Sequence, residues 1–252
     1  MVTVAALWRH PIKSHGREAL ETVTLAQGQT MPWDRRWAVT HDASKWNADD
    51  PQWAMCRNFM ITTGTPTLAG IWATVDETTG TVTLRHDQLG SHSFRPDDPA
   101  EHAGFLSWVA PLCPADRAQP QAVVAAPQRG MTDTDFPSIS IMTRASHKAV
   151  AAQLSQPLET ERWRGNIWLD GTDAWEEENW VGKTLRIGSA ELHVQSPIQR
   201  CKATMANPRT GKRDADTLDA LRRGWNHQNF GIYATVTKSG TIAINDRAEV
   251  LN

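Results

Sequence analysis

Short runs in which apolar and polar residues alternate recur along the chain, and they constrain the fold more than any other feature of the sequence. Arg36 to His41 alternates in this way, which is typical of a β-strand with one buried face. Two pairs of β-prone runs predict hairpins: Thr67 to Val75 with Thr81 to His86, and Thr184 to Ile187 with Glu191 to Gln195. Helices at the spacing of βαβ units are absent, so the pattern predicts a mainly β (α+β) fold and argues against a doubly wound sheet.

A change of composition in the middle of the chain predicts a boundary between two domains. Prolines recur between Arg95 and Pro137, and only Ala100 to Val109 has a helical pattern in this region. We therefore predict one domain over residues 1–115 and a second over residues 116–252. A linker that crosses between two cores also creates a cleft, which is a usual place for a ligand.

The second half of the chain predicts two helices and a last pair of strands. Helices are expected at about Ser146 to Leu154 and at Asp216 to Arg222, where the leading aspartate is a suitable N-cap. Phe230 to Thr237 and Thr241 to Ile244 predict a hairpin with a short turn between them. The acidic run from Glu176 to Glu178 is interpreted as a solvated turn.

The most informative segment of the sequence surrounds Cys201. It follows an alternating run that ends at a proline, so the strand is expected to end there and Cys201 to lie in or beside the next loop. Arg200 and Lys202 flank the thiol, and their positive field favours the thiolate, the form that attacks electrophiles and binds soft metals. Two other interpretations stay open: a buried structural cysteine, and a cysteine hydrolase with His193 or His227 as its base.

The net charge and the cysteine content narrow the class of protein. The net charge of -2 provides no general attraction to nucleic acid. The N-terminus has no signal-peptide pattern, and no apolar run reaches the length of a membrane span. The three cysteines, Cys56, Cys113 and Cys201, are widely spaced, which suits a reducing compartment better than a disulfide framework. We expect a soluble, cytoplasmic protein with no nucleic-acid or membrane partner.

Four short polar segments lie at predicted strand ends and share side chains that bind phosphate. They contain lysine, serine, asparagine and several arginines, which hold a phosphorylated ligand through charge-assisted hydrogen bonds. Each segment taken singly is more typical of a solvated turn, and His15 and Arg17 are interpreted as loop residues. Together with the Cys201 thiol, the segments indicate a ligand with a phosphate at one end and a soft metal or an electrophile at the other. They are His10 to Gly16, Asp34 to Trp37, Arg162 to Asn166, and Cys201 to Arg213.

Five short motifs follow one another along nearly the whole chain. They are Pro11 to Ser14, Asp34 to Trp37, Arg164 to Ile167, Arg200-Cys201 with Asn207 to Gly211, and Phe230 to Tyr233. In type, order and spacing they resemble the MOSC superfamily, named for the C-terminal domain of the molybdenum-cofactor sulfurase. They are similar above all to members with an N-terminal β-barrel domain, the group of the mitochondrial amidoxime-reducing component and its bacterial relatives. His10 and Gly165 depart from the family pattern, which has tyrosine and proline at these positions.

The resemblance implies two β-barrel-like domains with a few short helices, which enclose a molybdopterin-type molybdenum cofactor. It makes Cys201 the catalytic residue and the protein ligand of the molybdenum. Lysine, serine and arginine side chains would hold the pterin and its phosphate, and the remaining residues would line the site. The residues that the resemblance assigns to the cofactor are Lys13, Ser14, Arg35, Ser146, Arg164, Asn166, Arg200, Cys201 and Tyr233.

The function that the resemblance implies is a molybdenum-dependent oxidoreductase that reduces N-hydroxylated or related N–O or S–O small-molecule substrates. The cysteines of a fused iron–sulfur domain are missing, so electrons are expected from a separate protein of the ferredoxin, flavoprotein or cytochrome b5 type. One alternative is a non-catalytic carrier of the molybdenum cofactor, or of sulfur as a persulfide on Cys201. A third hypothesis is a β-rich protein that keeps the fold without the cofactor.

Overall fold

The computed structural model describes residues 1–251, and strands dominate it, which confirms the predicted mainly β fold with a few short helices. Asn252, the predicted end of the second domain, lies outside the described residues. The α-helices of residues 1–251 are α1 (His102–Val109), α2 (Arg144–Leu154) and α3 (Thr217–Trp225). In the same range, no helix is both long enough and apolar enough to cross a bilayer. The strands are β1 (Thr3–Arg9), β2 (Glu18–Leu20), β3 (Thr22–Leu25), β4 (Trp37–His41), β5 (Trp72–Asp76), β6 (Thr81–His86), β7 (Gly90–Phe94), β8 (Pro120–Ala125), β9 (Ile139–Thr143), β10 (Ile167–Asp170), β11 (Thr184–Ile187), β12 (Ala190–Gln199), β13 (Asn229–Lys238), β14 (Gly240–Ala243) and β15 (Ala248–Leu251).

A curled eight-stranded sheet forms the larger part of the molecule, in the order β15-β11-β12-β13-β9-β10-β1-β2. Its neighbouring strands are antiparallel except β9 and β10, which run parallel. Every residue of β9 is buried, as expected for an apolar strand in the middle of a covered sheet. Three of the four polar segments predicted to bind a ligand adjoin this sheet: they follow the end of β1, precede β10 and follow the end of β12, while the segment Asp34 to Trp37 leads into β4. The sheet therefore provides a rigid support for those three segments.

A smaller unit packs α1 against the three-stranded sheet β5-β6-β7 and the pair β4-β8. The predicted hairpin between β5 and β6 is confirmed, but its first strand begins at Trp72 and not at Thr67, because Pro66–Gly70 form a short helical turn. Gly80 ends its turn at a φ of +70°, a left-handed conformation that glycine adopts without steric cost. Phe94 and Phe105 stack in this core with their ring centroids 4.6 Å apart, a contact that adds about 0.5–1.5 kcal/mol to the burial of their surface.

Strand pairing joins early and late parts of the chain. β1 pairs with β10, β3 pairs with β14, and β4 pairs with β8. Each of these contacts crosses the predicted junction between residues 1–115 and residues 116–252, a division that stays a prediction. The crossing strands bring loops from both parts of the chain to the same region of the molecule.

Two predictions about local structure are wrong. Phe230–Thr237 and Thr241–Ile244 lie largely within β13 and β14, but β14 pairs with β3, while β13 pairs with β12 and β9. The strand before Cys201 does not end at Pro197, because β12 continues to Gln199. Register shifts on both sides of Pro197 relax the ladder around a residue that has no N–H to donate.

The acidic run from Glu176 to Glu178 is also not a solvated turn throughout, because Glu177 is fully buried. Its Oε2 accepts hydrogen bonds from Thr143 Oγ1 at 3.0 Å and from Ser146 Oγ at 2.9 Å. Burial raises the pKa of Glu177 above its ordinary value, since a desolvated carboxyl favours its neutral form. Three identical neighbours in the sequence thus occupy different environments in the fold.

Candidate functional site

A cavity of about 410 Å³ lies where the polar segments meet. Pockets that hold small-molecule ligands and cofactors usually span about 300–1,000 Å³, so the cavity has a suitable volume. All of the predicted cofactor residues except Ser146 line it. Those that do are Lys13, Ser14, Arg35, Arg164, Asn166, Arg200, Cys201 and Tyr233.

Three of the lining residues are held in a left-handed backbone conformation. Ser14, Arg35 and Arg164 have φ values of +62°, +50° and +51°, a region that costs a residue other than glycine or asparagine about 1–2 kcal/mol. Backbone hydrogen bonds maintain this geometry: Arg35 N donates to His10 O at 2.6 Å, and Arg164 N donates to Glu161 O at 3.1 Å. Strain concentrated in neighbouring lining residues is typical of a functional site.

Lys13 lies in the cavity wall and is held by an acidic loop. Its Nζ donates to Met131 O at 2.7 Å and to Asp133 Oδ1 at 2.5 Å. The Asp133 side chain is 53% exposed towards the cavity. Desolvation within the cavity opposes its ionisation, but the charges of Lys13 and Arg35 outweigh this effect and lower the pKa of the carboxyl to about 2. Asp133 is therefore ionised among the cations of the cavity. Nothing in the sequence distinguished it, because it reaches Lys13 only through a contact between distant residues.

Arg35 is supported from beneath the cavity by a buried carboxylate. Its Nη1 pairs with Asp34, and its Nη2 donates to Arg164 O at 3.0 Å. Asp34 also accepts the backbone N–H of His10 at 2.7 Å. Burial, reinforced by the charge of Arg164, lowers the pKa of His10 to about 3. His10 is consequently neutral, and the charge in this layer comes from the arginines and Asp34.

Arg164 and Arg200 are half-buried cations without a carboxylate partner among residues 1–251. Arg164 Nη2 donates to Gly16 O at 3.1 Å, while burial and the charges of Arg35 and Arg17 lower the pKa of Arg164 to about 9. Burial likewise lowers the pKa of Arg200 to about 10. Both arginines stay charged at neutral pH, so this wall of the cavity favours an anionic ligand.

Backbone acceptors and a thioether hold the guanidinium of Arg200 in place. Nε donates to Phe230 O at 2.8 Å and Nη1 donates to Trp163 O at 3.0 Å. Nη2 lies 3.0 Å from Met142 Sδ. The Met142 side chain passes beside Gly231, where a Cβ atom would collide with it. Arg200 is thus rigidly positioned, which lowers the entropic cost of ligand binding.

Asn166 and Tyr233 complete the inner wall. Asn166 Oδ1 accepts from Ser140 Oγ at 2.8 Å, and its Nδ2 donates to Trp8 O at 3.2 Å, so this side chain bridges β9 and β1. Burial, followed by the negative charge of Asp133, raises the pKa of Tyr233 above its usual range. The phenol therefore keeps its proton and is available as a hydrogen-bond donor.

Cys201 is exposed and lines the cavity at the start of the short helical turn Lys202–Met205. Its Sγ lies 3.2 Å from Thr63 Oγ1. This position contradicts the interpretation of Cys201 as a buried structural cysteine. A second thiol, Cys56, lines the same cavity, and burial raises its pKa. Cys56 adjoins no motif, so its place in the cavity was not predicted from the sequence.

The cysteine-hydrolase interpretation receives no support from the geometry. No histidine of residues 1–251 lines the cavity. His193 lies on β12 opposite Thr235, and His227 faces Glu178 at 3.5 Å. A cysteine nucleophile needs a base within hydrogen-bond reach, and neither side chain provides one at Cys201.

Ser146 does not reach the cavity. It lies in the first turn of α2, where its backbone N–H donates to the N-cap residue Thr143. Its hydroxyl donates to Glu177 Oε2 and accepts the backbone N–H of Trp175 at 2.7 Å. These contacts give Ser146 a place in the buried polar network at the end of β9, away from the other predicted site residues.

Two family models match the sequence and together cover most of it. The model described as MOSC domain matches residues 130–249, and the model described as MOSC N-terminal beta barrel domain matches residues 1–108.

Curated relatives match a smaller part of the chain. Mitochondrial amidoxime reducing component 2 of Homo sapiens is 32% identical over 124 residues, which are 44% of this chain and 36% of that protein. Molybdenum cofactor sulfurase of Drosophila erecta is 36% identical over 98 residues, which are 38% of this chain and 12% of that protein. The matched regions therefore span well under half of either relative.

Solved structures with a similar chain path include the YUAD protein from Bacillus subtilis. Its TM-score is 0.47 at 12% identity, over 99% of this chain and 96% of that one. YiiM from Geobacillus stearothermophilus has a TM-score of 0.36 at 18% identity, over 45% of this chain and 54% of that one.

Proposed function

Because the chain belongs to the MOSC family and carries its N-terminal β-barrel domain, we propose that it is a molybdenum-dependent oxidoreductase. Its substrates would be N-hydroxylated or related N–O or S–O compounds, and its cofactor a molybdenum–molybdopterin. One observation carries the proposal: a single cavity combines an exposed thiol, Cys201, with a wall of buried and half-buried arginines. A ligand with a soft metal and a phosphate complements both features.

The residues present fit such a cofactor. Arg164 and Arg200 lack carboxylate partners among the described residues, and they suit a phosphate, which binds guanidinium groups through charge-assisted hydrogen bonds. Lys13, Ser14 and Arg35 would bind the remaining polar groups of the pterin. Cys201 would be the metal ligand, since thiolates are preferred by soft metals.

When bound, the cofactor would supply a two-electron redox centre with Lewis-acid character. The protein's own part is to orient the ligand and to manage protons. Reduction of an N-hydroxyl group consumes two electrons and two protons and releases water. Tyr233 keeps its phenolic proton because burial raises its pKa, so it would orient a polar substrate by donating a hydrogen bond. Asp133 stays ionised beside Lys13 and would balance part of the positive charge.

The electrons would come from a separate protein of the ferredoxin, flavoprotein or cytochrome b5 type. Lys202, Lys212 and Arg213 are exposed close to Cys201 in the sequence, and none of them pairs with a carboxylate within residues 1–251. Arg213 Nη2 donates to Thr63 O at 2.6 Å, which places it next to the Thr63–Cys201 contact. A positive rim of this kind favours a partner with an acidic surface. The cytoplasm stays the predicted compartment, and the three free cysteines agree with reducing surroundings.

A second candidate function is a non-catalytic carrier of the cofactor, or of sulfur as a persulfide on Cys201. The exposure of the Cys201 thiol favours it, because an accessible cysteine is able to take the outer sulfur of a donor persulfide, with the donor's own thiol as the leaving group. A carrier would bind the metal tightly and show no turnover with a chemical reductant.

The experiment that tests the proposal compares the wild type with Cys201→Ala and Cys56→Ala, all expressed in a host that makes the cofactor. We expect nearly one molybdenum and one pterin per wild-type chain, and a loss of metal or a changed metal spectrum in Cys201→Ala. Cys56→Ala, a change of thiol in the same cavity, should keep its metal. With a reduced dye, the wild type should turn over a hydroxylamine, an amidoxime or a sulfoxide.

Each other result has a definite meaning. Absence of molybdenum from the wild type would refute the proposal. Full metal without dye-driven turnover, or a mass increase of one sulfur on Cys201, would favour the carrier.

A further inference from the structure

A small void lies behind the wall of the ligand cavity and is lined by three arginines. Its volume is about 10 Å³, which corresponds to one water-sized species. Arg17, Arg162 and Arg164 line it together with Thr62, and Arg162, Arg164 and Thr62 also line the ligand cavity. Arg17 was expected to be a loop residue, whereas its side chain is buried in the structure with 1% exposure.

Three of the side chains that line the void have a polar atom without a hydrogen-bond partner. These atoms are Arg17 Nε, Arg162 Nε and Thr62 Oγ1, on residues that are 1%, 3% and 2% exposed. Buried polar groups are satisfied in nearly all native proteins. Three unsatisfied groups around one void therefore indicate a bound species that accepts hydrogen bonds from them.

The guanidinium groups are held in place by their other nitrogens. Arg17 Nη1 donates to Ala69 O at 2.6 Å, Arg17 Nη2 donates to Pro208 O at 2.7 Å, and the group stacks 3.9 Å from the ring centroid of Trp72. Arg162 Nη2 donates to Glu159 Oε2 at 2.7 Å. Neither side chain is free to turn its Nε towards another protein acceptor, so the void is a preformed site.

The side chains that line the void include three cations, Arg17, Arg162 and Arg164, and one carboxylate, Glu161. Arg162 has carboxylate partners, but Arg17 and Arg164 form no ion pair within residues 1–251. Glu161 lines the void, yet its carboxylate accepts a hydrogen bond from Thr160 and forms no ion pair with any of the three arginines. Burial lowers the pKa of Arg17 to about 10, and the nearby charge of Glu161 opposes this shift without cancelling it. A neutral water would satisfy the donors without offsetting the charge of the arginines.

We propose that the void binds a single monoatomic anion, a halide such as chloride. Its volume excludes phosphate or sulfate, and its donors and charge favour an anion over water. The bound halide would accept hydrogen bonds from Arg17, Arg162 and Thr62. It would also reduce the repulsion between Arg17 and Arg164, and so hold Arg164 in the wall of the ligand cavity. The inference does not depend on which cofactor or substrate the ligand cavity takes.

Thermal unfolding of the full chain tests the proposal in solution. At constant ionic strength, we expect the melting temperature to rise as sodium chloride or bromide replaces sodium gluconate. Thr62→Val removes the hydroxyl donor at nearly constant volume and should abolish most of this rise. Thr62→Ser keeps the hydroxyl, so it should retain the rise, and it separates loss of the donor from a general effect of changing this residue.

Crystals grown in sodium bromide locate the site directly. We expect an anomalous difference peak in the void, within hydrogen-bond distance of Thr62 Oγ1 and of the Nε atoms of Arg17 and Arg162. A void that contains only water at saturating bromide would overturn the proposal. So would a melting temperature that is the same in chloride and gluconate, or a halide effect that is unchanged in Thr62→Val.

Discussion

Replacing Asp34 by asparagine tests whether one buried carboxylate organises the cations of the ligand cavity. The Asp34 side chain is 1% exposed and pairs with Arg35, whose side chain is 11% exposed. It also accepts the backbone N–H of His10 at 2.7 Å. Asparagine keeps the shape of the side chain but removes its charge, which leaves Arg35 buried without a counter-charge. Removal of one partner of a buried pair costs about 3–5 kcal/mol, and we expect the free energy of unfolding at pH 7 to fall by that amount.

The fall in unfolding free energy caused by Asp34→Asn should shrink as the pH is lowered. Burial by itself raises the pKa of Asp34, but the charge of Arg35 and the hydrogen bond with His10 lower it well below its usual range. A carboxyl whose pKa is lowered by folding stabilises the protein above its unfolded pKa of about 3.9. That stabilisation is lost as the pH falls through the folded pKa. The difference between wild type and Asp34→Asn should therefore be complete at pH 7 and shrink below about pH 4.

Urea unfolding followed by tryptophan fluorescence provides the measurement, because the chain has 12 tryptophans. Both proteins are compared at pH 7, 5 and 3.5. Asp87→Asn serves as the control, since Asp87 lies 3.6 Å from Arg85 with 74% of its side chain exposed, and it should unfold nearly as the wild type does. A loss below about 1 kcal/mol for Asp34→Asn at pH 7, or an equal loss at all three pH values, would refute this reasoning.

Three further substitutions test other buried groups. Burial lowers the pKa of His15 to about 4. The stability that neutral His15 contributes is therefore present above its unfolded pKa of about 6.5 and is lost as the pH falls. His15→Asn should flatten the decline in unfolding free energy between pH 7 and 5, and an unchanged slope would contradict this expectation. Gly231→Ala should lower the free energy of unfolding in urea more than Gly80→Ala does. Both glycines have positive φ, of +75° and +70°, but a Cβ would collide only at Gly231, with Met142 and with Ile141 O. Equal losses of unfolding free energy would show that the collision is relieved. Burial raises the pKa of Glu177. The stability that this group contributes is therefore present below its unfolded pKa of about 4.3 and is lost as the pH rises through the folded pKa. Glu177→Gln should be more stable than the wild type at pH 7 but not at pH 4, with Glu178→Gln as the control, and a loss of stability at pH 7 would contradict the raised pKa.

The sequence by itself was sufficient for features that depend on neighbouring residues. Alternation predicted the hairpin of β5 and β6, since a strand's two faces follow from a period of two. The N-cap of α3 was readable for a similar reason, because the Asp216 carboxylate accepts the N–H of Asp219 only three residues away. The motif residues of the site were also recognised, and the structure brings all of them except Ser146 to one cavity.

Features that depend on distant residues were decided only by the tertiary structure. The partner of β14 is β3, although a hairpin with β13 was the nearest local choice. Glu177 is buried while its neighbours are not, because one position in the turn faces the end of β9. Asp133 reaches the cavity through its contact with Lys13, which is 120 residues away in the chain. Arg17 is held at the void by a hydrogen bond to Pro208 O, 191 residues away. A local pattern fixes which way a side chain alternates, but burial, pairing and charge compensation depend on what the rest of the chain places opposite it.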